Sequence, residues 1–333
     1  MGSRQWAALR KQPLLTILNC PLSALTSTFF KQSGNDLQSF FNCKYLQNLS
    51  ATTMTKKKIL LITQEMEPYT ALSEISLLAQ RLPLYLNSQQ CEIRILMPRF
   101  GTINERRHRL HEVVRLSGMN IIVNDDDYPL IIKVASLPNS RIQVYFLDND
   151  EFFKRKSVFE DDEGKPFDDN IDRAVFFCKG AIETVRKFGW APDIMHVHGW
   201  MTSLIPFYAR TAYKHDPLFQ STKIIYSLFD NLTQVTPYDE FTAKASINNL
   251  EEGDLLDFKN GDETLLHKGA IMHADAIIKV GEVSDTIAEL LANSDRPVHD
   301  SLEIPESGET TATTKGYYAF YESLLEADVA EPA

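Results

Sequence analysis

Residues able to do chemistry concentrate in one stretch, Pro192-Asp193-Ile194-Met195-His196-Val197-His198-Gly199-Trp200. The apolar run from Asp193 to Val197 reads as a buried parallel strand, because it is too short for a helix and a helical pattern follows it at once. It ends in two imidazoles at i and i+2, which a strand places on one face, next to a glycine that permits close backbone approach. In an open α/β sheet ligands bind outside the carboxyl ends of the strands, so a site is expected here. The plain alternative is a pair of hydrogen-bonded histidines. Zinc would need further ligands, and none cluster nearby in the sequence, so neither metal nor cofactor is expected. Asp169, at the head of another helical pattern, is either an N-cap or a site carboxylate. Asp125-Asp126-Asp127 and Glu160-Asp161-Asp162-Glu163 read as solvated turns, since they lack calcium-loop spacing.

The elements that must position these residues follow an α/β rhythm. Ile59–Ile62 is a continuous apolar strand, Ser73–Leu86 a helix with Ile75, Leu78, Ala79 and Leu82 on one face, and Cys91–Met97 a second strand. Val113–Ser117, Asn120–Val123, Leu130–Ala135 and Ile142–Leu147 read as an antiparallel excursion broken by turn residues. Helices are expected at Asp169–Lys187, Trp200–Tyr213, Thr264–His273 and Ser284–Leu291, and strands at Lys223–Leu228 and Asp275–Val280. This alternation implies a doubly wound, mainly parallel Rossmann-like sheet with an antiparallel hairpin excursion. Residues 54–291 are expected to form that domain. From Ala292 the composition turns to Ser, Thr, Glu, Pro and Ala, which predicts a flexible acidic tail over 292–333. Residues 1–53 have no sustained period and are expected to be a poorly ordered or mispredicted extension ahead of Met54. A signal peptide built on Arg4, Arg10 and Lys11 is disfavoured, because Asn19 and Thr26-Ser27-Thr28 interrupt the apolar part.

Composition narrows the function classes. At 333 residues, 44% of them hydrophobic, the chain can bury a sizeable core. A net charge of −11 argues against nucleic acid or an anionic membrane as partner. Cys20, Cys43, Cys91 and Cys178 show no metal or redox spacing and suit reduced thiols in a cytoplasmic protein. A dinucleotide fingerprint would place glycines after the first strand, and Thr63 to Glu74 contains none.

Several motifs together resemble a known family. Ile62-Thr63-Gln64-Glu65-Met66-Glu67-Pro68-Tyr69 is similar to the opening strand and loop of bacterial glycogen and plant starch synthases. Pro98-Arg99-Phe100-Gly101 resembles their PRYG loop, Pro192 to Trp200 their PDVVHAHDW, and Lys268-Gly269-Ala270-Ile271 with Ala274-Asp275-Ala276 their KGGI…ADA. Tyr145 to Asn149 with Phe152-Phe153, then Asp168-Asp169-Asn170 with Arg173 and Phe176, resembles the segment leading to their acceptor-side helix. The likeness runs from about Lys58 to Leu291.

The resemblance implies one half of a two-domain GT-B glycosyltransferase that moves glucose from ADP-glucose to the 4-hydroxyl of an α-1,4-glucan with retention. It implies Asp169 and His198 as catalytic, and His196, Asn170, Arg173, Gly199 and Trp200 as substrate-binding residues. The family's second, donor-binding domain has no counterpart in its motifs here, so a partner chain or a homo-dimer is expected to supply it. The family's Lys-Thr-Gly-Gly donor loop falls on Ala71-Leu72-Ser73-Glu74, where Ser73 and Glu74 suit a helix start but a diphosphate would meet a carboxylate. At about 4 Å that costs on the order of 4 kcal/mol for an effective dielectric near 20. The other reading is therefore a non-catalytic glucan-binding or scaffolding module.

Overall fold

β1 (Lys58–Thr63) is an unbroken run of branched apolar residues, buried on both faces as the middle of a parallel sheet requires. The computed structural model of the chain describes residues 56–231, 236–247, 250, 253–301 and 311–330, so the expectation for residues 1–53 falls outside the described residues. After β1, helix α1 (Glu74–Ser88) is N-capped by Ser73, whose Oγ accepts from the Ile75 N–H at 3.3 Å. It leads to β2 (Glu92–Pro98), which pairs parallel to β1. The antiparallel excursion follows as β3 (His111–Glu112), β4 (Met119–Val123) and β5 (Asp126–Ser136), and β6 (Gln143–Asp148) returns parallel to β2. Helix α2 (Asn170–Phe188) then crosses to β7 (Ile194–His198), parallel to β1 on its other side.

A 3-10 turn (Trp200–Thr202) and α3 (Leu204–Arg210) lead to β8 (Lys223–Leu228). Then come α4 (Tyr238–Ala245), a small hairpin of β9 (Lys259–Asn260) and β10 (Glu263–Thr264), α5 (Leu266–His273), β11 (Ala276–Lys279), α6 (Asp285–Ala292) and β12 (Val298–Asp300). The sheet order is β12-β11-β8-β7-β1-β2-β6-β5-β3, with β4 paired to β5. This is the expected Rossmann-like arrangement. Helices α2, α3 and α5 pack side by side on one face, as right-handed crossovers require.

Three expectations need correction. Val113–Ser117 is a turn rather than a strand: the Leu116 N–H returns to the Val113 carbonyl at 2.9 Å and Ser117 Oγ accepts from the Ile132 N–H at 3.0 Å. Trp200–Tyr213 is not one helix, and α3 starts late enough to hold Pro206 in its first turn, where a missing N–H breaks no helical bond. Where it is described, the chain after Ala292 is built into the fold. β12 extends the sheet, and α7 (Thr311–Ala330) lies against α1 on the opposite face from α2. Composition averaged over the segment hid a stripe at helical spacing, Tyr317, Phe320, Tyr321 and Leu324. Tyr317 and Tyr321 are each 1% exposed, and Phe320 stacks on His299 with centroids 5.0 Å apart. Lys57, before β1, pairs with Glu322.

Tyr321 gives the test of that docking. Tyr321→Ala is expected to lower the free energy of unfolding by about 3–5 kcal/mol. Tyr321→Phe should cost about 1–3 kcal/mol, because it strips a partner from a buried imidazole. Urea unfolding that shows both variants within 0.5 kcal/mol (roughly the surface-substitution range) of the parent would mean that α7 is not seated on the sheet.

Candidate functional site

A cavity of about 520 Å³ opens beyond the carboxyl ends of the central strands. Its lining includes Gln64, Glu65, Ser73, Lys156, Asn170 and Trp200. Gln64 and Glu65 follow β1, Trp200 follows β7, and Asn170 opens α2. The site therefore lies where an α/β sheet puts one.

Glu65, only 1% exposed, organises the near wall. Its Oε2 accepts from the Leu72 and Ser73 N–H groups at 2.8 and 2.9 Å, and its Oε1 from the Ser73 hydroxyl at 2.6 Å. The loop Ala71-Leu72-Ser73-Glu74 thus spends two amides and a hydroxyl on an internal carboxylate, and it carries no cation of its own. Ala71, Leu72 and Glu74 are exposed.

Gly199 has φ of 84°, and a Cβ there would stand 2.3 Å from Gln64 Oε1. Glycine is required at this strand end because the Gln64 side chain fills the space while accepting from the Met201 N–H at 3.2 Å. Trp200 lines the cavity with its ring centroid 5.0 Å from that of Phe159.

The two histidines sit elsewhere. His196 and His198 share one face of β7, with ring centroids 4.0 Å apart, and both are fully buried on the side covered by α7. His196 Nδ1 meets the Tyr321 hydroxyl and its Nε2 lies 2.7 Å from Ser227 Oγ. For His198 neither ring nitrogen has a hydrogen-bond partner among the described residues. Burial pushes the His198 pKa down to about 3, while burial and the neighbouring His198 hold His196 well below its usual value. Both rings are neutral at pH 7. The expectation that these imidazoles face the site is corrected: strand alternation turns them under α7, and neither lines the cavity.

Asp169 occupies the N-cap position of α2 without capping it. Its carboxylate pairs with Arg155, whose guanidinium lies 4.2 Å from the centroid of the Phe167 ring, and its Oδ1 is buried without a partner. Asn170 is oriented on both sides, donating from Nδ2 to the Phe159 carbonyl at 2.8 Å and accepting from Arg173 Nη1 at 3.0 Å. Arg173 does not line the cavity. At 1% exposure it donates to the Phe152 carbonyl at 2.8 Å and to the Val158 carbonyl, tying the 152–159 loop to α2. Burial lowers its pKa to about 10, so it stays charged at neutral pH.

Sequence reasoning missed Glu65 and Lys156. Glu65 follows a strand end just as Gly199 and Trp200 do, so the rule that singled out one strand end applied equally to the other. Lys156 belongs to a cationic run, Lys154-Arg155-Lys156, that stands out in an acidic chain. Among the described residues no group of three or more His, Cys, Asp or Glu could hold a metal, and no helix is long and apolar enough to cross a membrane.

Comparison with known proteins adds relatives to this geometry. The family model described as starch synthase catalytic domain matches residues 58–296. A glycogen synthase of Pelodictyon phaeoclathratiforme is 32% identical over 248 residues, which cover 74% of this chain and 48% of the relative. That of Chlorobaculum tepidum is 36% identical over 223 residues, 66% of this chain and 45% of the relative. The chain thus spans about half the length of the curated relatives it matches. Among solved structures, the catalytic domain of Starch Synthase IV from Arabidopsis thaliana, bound to ADP and acarbose, shares the fold. Its TM-score is 0.58 at 18% identity, covering 68% of this chain and 45% of that one.

The buried imidazole of His198 makes a pH prediction. Its folded pKa lies below the unfolded value, so the unfolded chain binds more protons between about pH 3 and 6.5. The stability it contributes is complete above about pH 6.5 and is lost as pH falls toward 3. Between pH 7 and pH 5 this histidine should remove about 2 kcal/mol, read as a fall in urea midpoint. His198→Gln should flatten that dependence, and an unchanged slope in the variant would show that the ring is not buried in its neutral form.

Proposed function

Since the chain belongs to the family of starch synthase catalytic domains, we propose that its described unit is the α-glucan-binding, acceptor-side half of a retaining glucosyltransferase. The transferred unit comes from ADP-glucose and goes to the 4-hydroxyl of an α-1,4-glucan end. The observation that carries the reading is the cavity at the strand ends, where the Trp200 indole and the oriented Asn170 amide meet one cationic and several acidic side chains. Such a lining of hydrogen-bonding groups around a largely buried indole, 3% exposed, suits a neutral polyol. Trp200 packs against a sugar ring where it borders the cavity, Asn170 takes hydroxyls, and Asp169, just before it, orients the sugar when its carboxylate turns from Arg155.

His198 keeps an indirect role in this reading. Beneath α7 it supports the strand end that presents Gly199 and Trp200, and His196 supports it in turn. The described unit supplies the acceptor side, and the diphosphate side falls to a donor-binding domain such as a partner chain or another copy would contribute. Without it the chain acts as a glucan-binding or scaffolding module, the second reading, favoured by the cation-free Ala71–Glu74 loop whose amides are held by Glu65. The thiols of Cys91 and Cys178, both buried and unpaired, suit a cytoplasmic setting.

Two measurements on the full chain test this reading. Glycogen should retain the protein in a pull-down, and Trp200→Ala should weaken retention roughly tenfold, as expected when one stacking aromatic is lost. With a donor-binding domain present, labelled glucose from ADP-glucose should enter glycogen, and Asp169→Ala should abolish that incorporation. A chain that does not bind glycogen, or that binds equally well without Trp200, removes the acceptor-side assignment.

A further inference from the structure

Within a chain of net charge −11, two of the cationic runs are Arg106-Arg107 with Arg109, and Lys154-Arg155-Lys156. The fold brings them together at Gly101. A Cβ at this position would stand 2.2 and 2.3 Å from the carbonyl oxygens of Arg155 and Lys154, so only glycine lets the Pro98–Gly101 turn press against that backbone. Lys156 Nζ donates to the Gly101 carbonyl at 3.2 Å across the junction. A second cavity of about 400 Å³ opens there, with Arg99, Thr102, Glu105, Arg106 and Lys156 in its wall. It shares Thr102 and Lys156 with the cavity at the strand ends.

Charge matching leaves part of this wall uncompensated. Arg99 lies 3.3 Å from Glu105 and 2.9 Å from Asp148, and Lys133 lies 2.7 and 2.9 Å from the same two carboxylates. These four groups form a neutral square. Arg155 is spent on Asp169. Arg106 and Lys156 remain, both exposed, and neither has an ion-pair partner among the described residues.

A neutral polyol draws only single hydrogen bonds and no net charge attraction from two unmatched cations, whereas a phosphate dianion accepts from a guanidinium, an ammonium and a hydroxyl at once. We propose that the junction binds the phosphate monoester of a phosphorylated carbohydrate, with the phosphate between Arg106 and Lys156 beside Thr102 and the sugar in the adjoining cavity. This rests on the carbohydrate reading of that larger cavity. Because both cations face solvent, their combined effect is modest, roughly tenfold in affinity, and falls as salt rises.

Calorimetric titration of the full chain in low salt, with a phosphorylated maltodextrin and its phosphatase-treated form, reads the proposal directly. The phosphorylated form should bind about tenfold more tightly, in keeping with two exposed ion pairs. The double variant Arg106→Gln with Lys156→Gln should erase that difference, read as the ratio of the two affinities within the variant, so that any loss common to both forms cancels. Glucose 6-phosphate against glucose reports whether a small hexose phosphate shows the same charge-dependent gain, which would support the site with that source. Equal binding of the two maltodextrins, or a difference that survives in the double variant, overturns the proposal. So does inorganic phosphate binding as tightly as the phosphorylated maltodextrin. If neither maltodextrin binds, the carbohydrate reading itself fails, and that result is distinct from equal binding of both.

Discussion

Everything at the candidate site depends on three strands ending level. In the parallel register Thr63 stands opposite His198, and His198 opposite Ser227, so β1, β7 and β8 finish side by side. Each chain then leaves the sheet from the same edge. Gln64 and Glu65, Gly199 and Trp200, and Asn231 therefore converge without any one loop having to reach far. A slip of one residue in β7 would exchange the inward and outward faces. It would carry His196 and His198 to the other face, and Val197 under α7. The register is secured by burial on both sides, since Ile59 to Ile62 and Ile194 to His198 are all within 1% of full burial.

The second constraint is that polar groups shut inside this edge cost stability unless they are answered there, as His198 is not. Glu65 answers the amides at the start of α1, and Arg173 answers carbonyls of the 152–159 loop. Leaving such a group unpaired costs about 1–3 kcal/mol, so each bond holds its loop in place as much as it adds stability. Asp169 and Arg155 play a looser version of the same part, since both side chains are about one third exposed. The rigid groups thus hold the loops that wall the cavity, and the partly exposed pair lies next in sequence to two of its lining residues, Lys156 and Asn170.

How far this was legible in the sequence varies with the kind of signal. β1, α1, β8 and α2 were plain, because an unbroken apolar run or a strong 3.6-residue period survives any context. Trp200 and Asn170 were also legible as candidate positions, and both border the cavity. The histidines were misplaced because spacing tells which residues share a face but not which face meets the cleft. α7 was hidden because a segment rich in Ser, Thr, Glu and Ala was weighed by composition, although four apolar side chains at helical spacing lay within it. The strand-end position of Glu65 was legible, but the bonds by which Glu65 and Arg173 fix their loops were not, since most of their partners are backbone groups, which have no residue type.

The seat of α7 has a consequence in time. Tyr321 closes over His196, and Glu322 reaches Lys57 across a separation of 265 residues. The face of β7 that carries His196 and His198 therefore stays uncovered while the chain is being synthesised, until the segment around Tyr321 has emerged from the ribosome. Contacts that join the two ends of a chain form late and slow the search for the native state. During translation the nascent sheet must wait with two imidazoles and part of its apolar face open to solvent, an interval in which a chaperone or an early partner has access to a surface that the finished protein conceals.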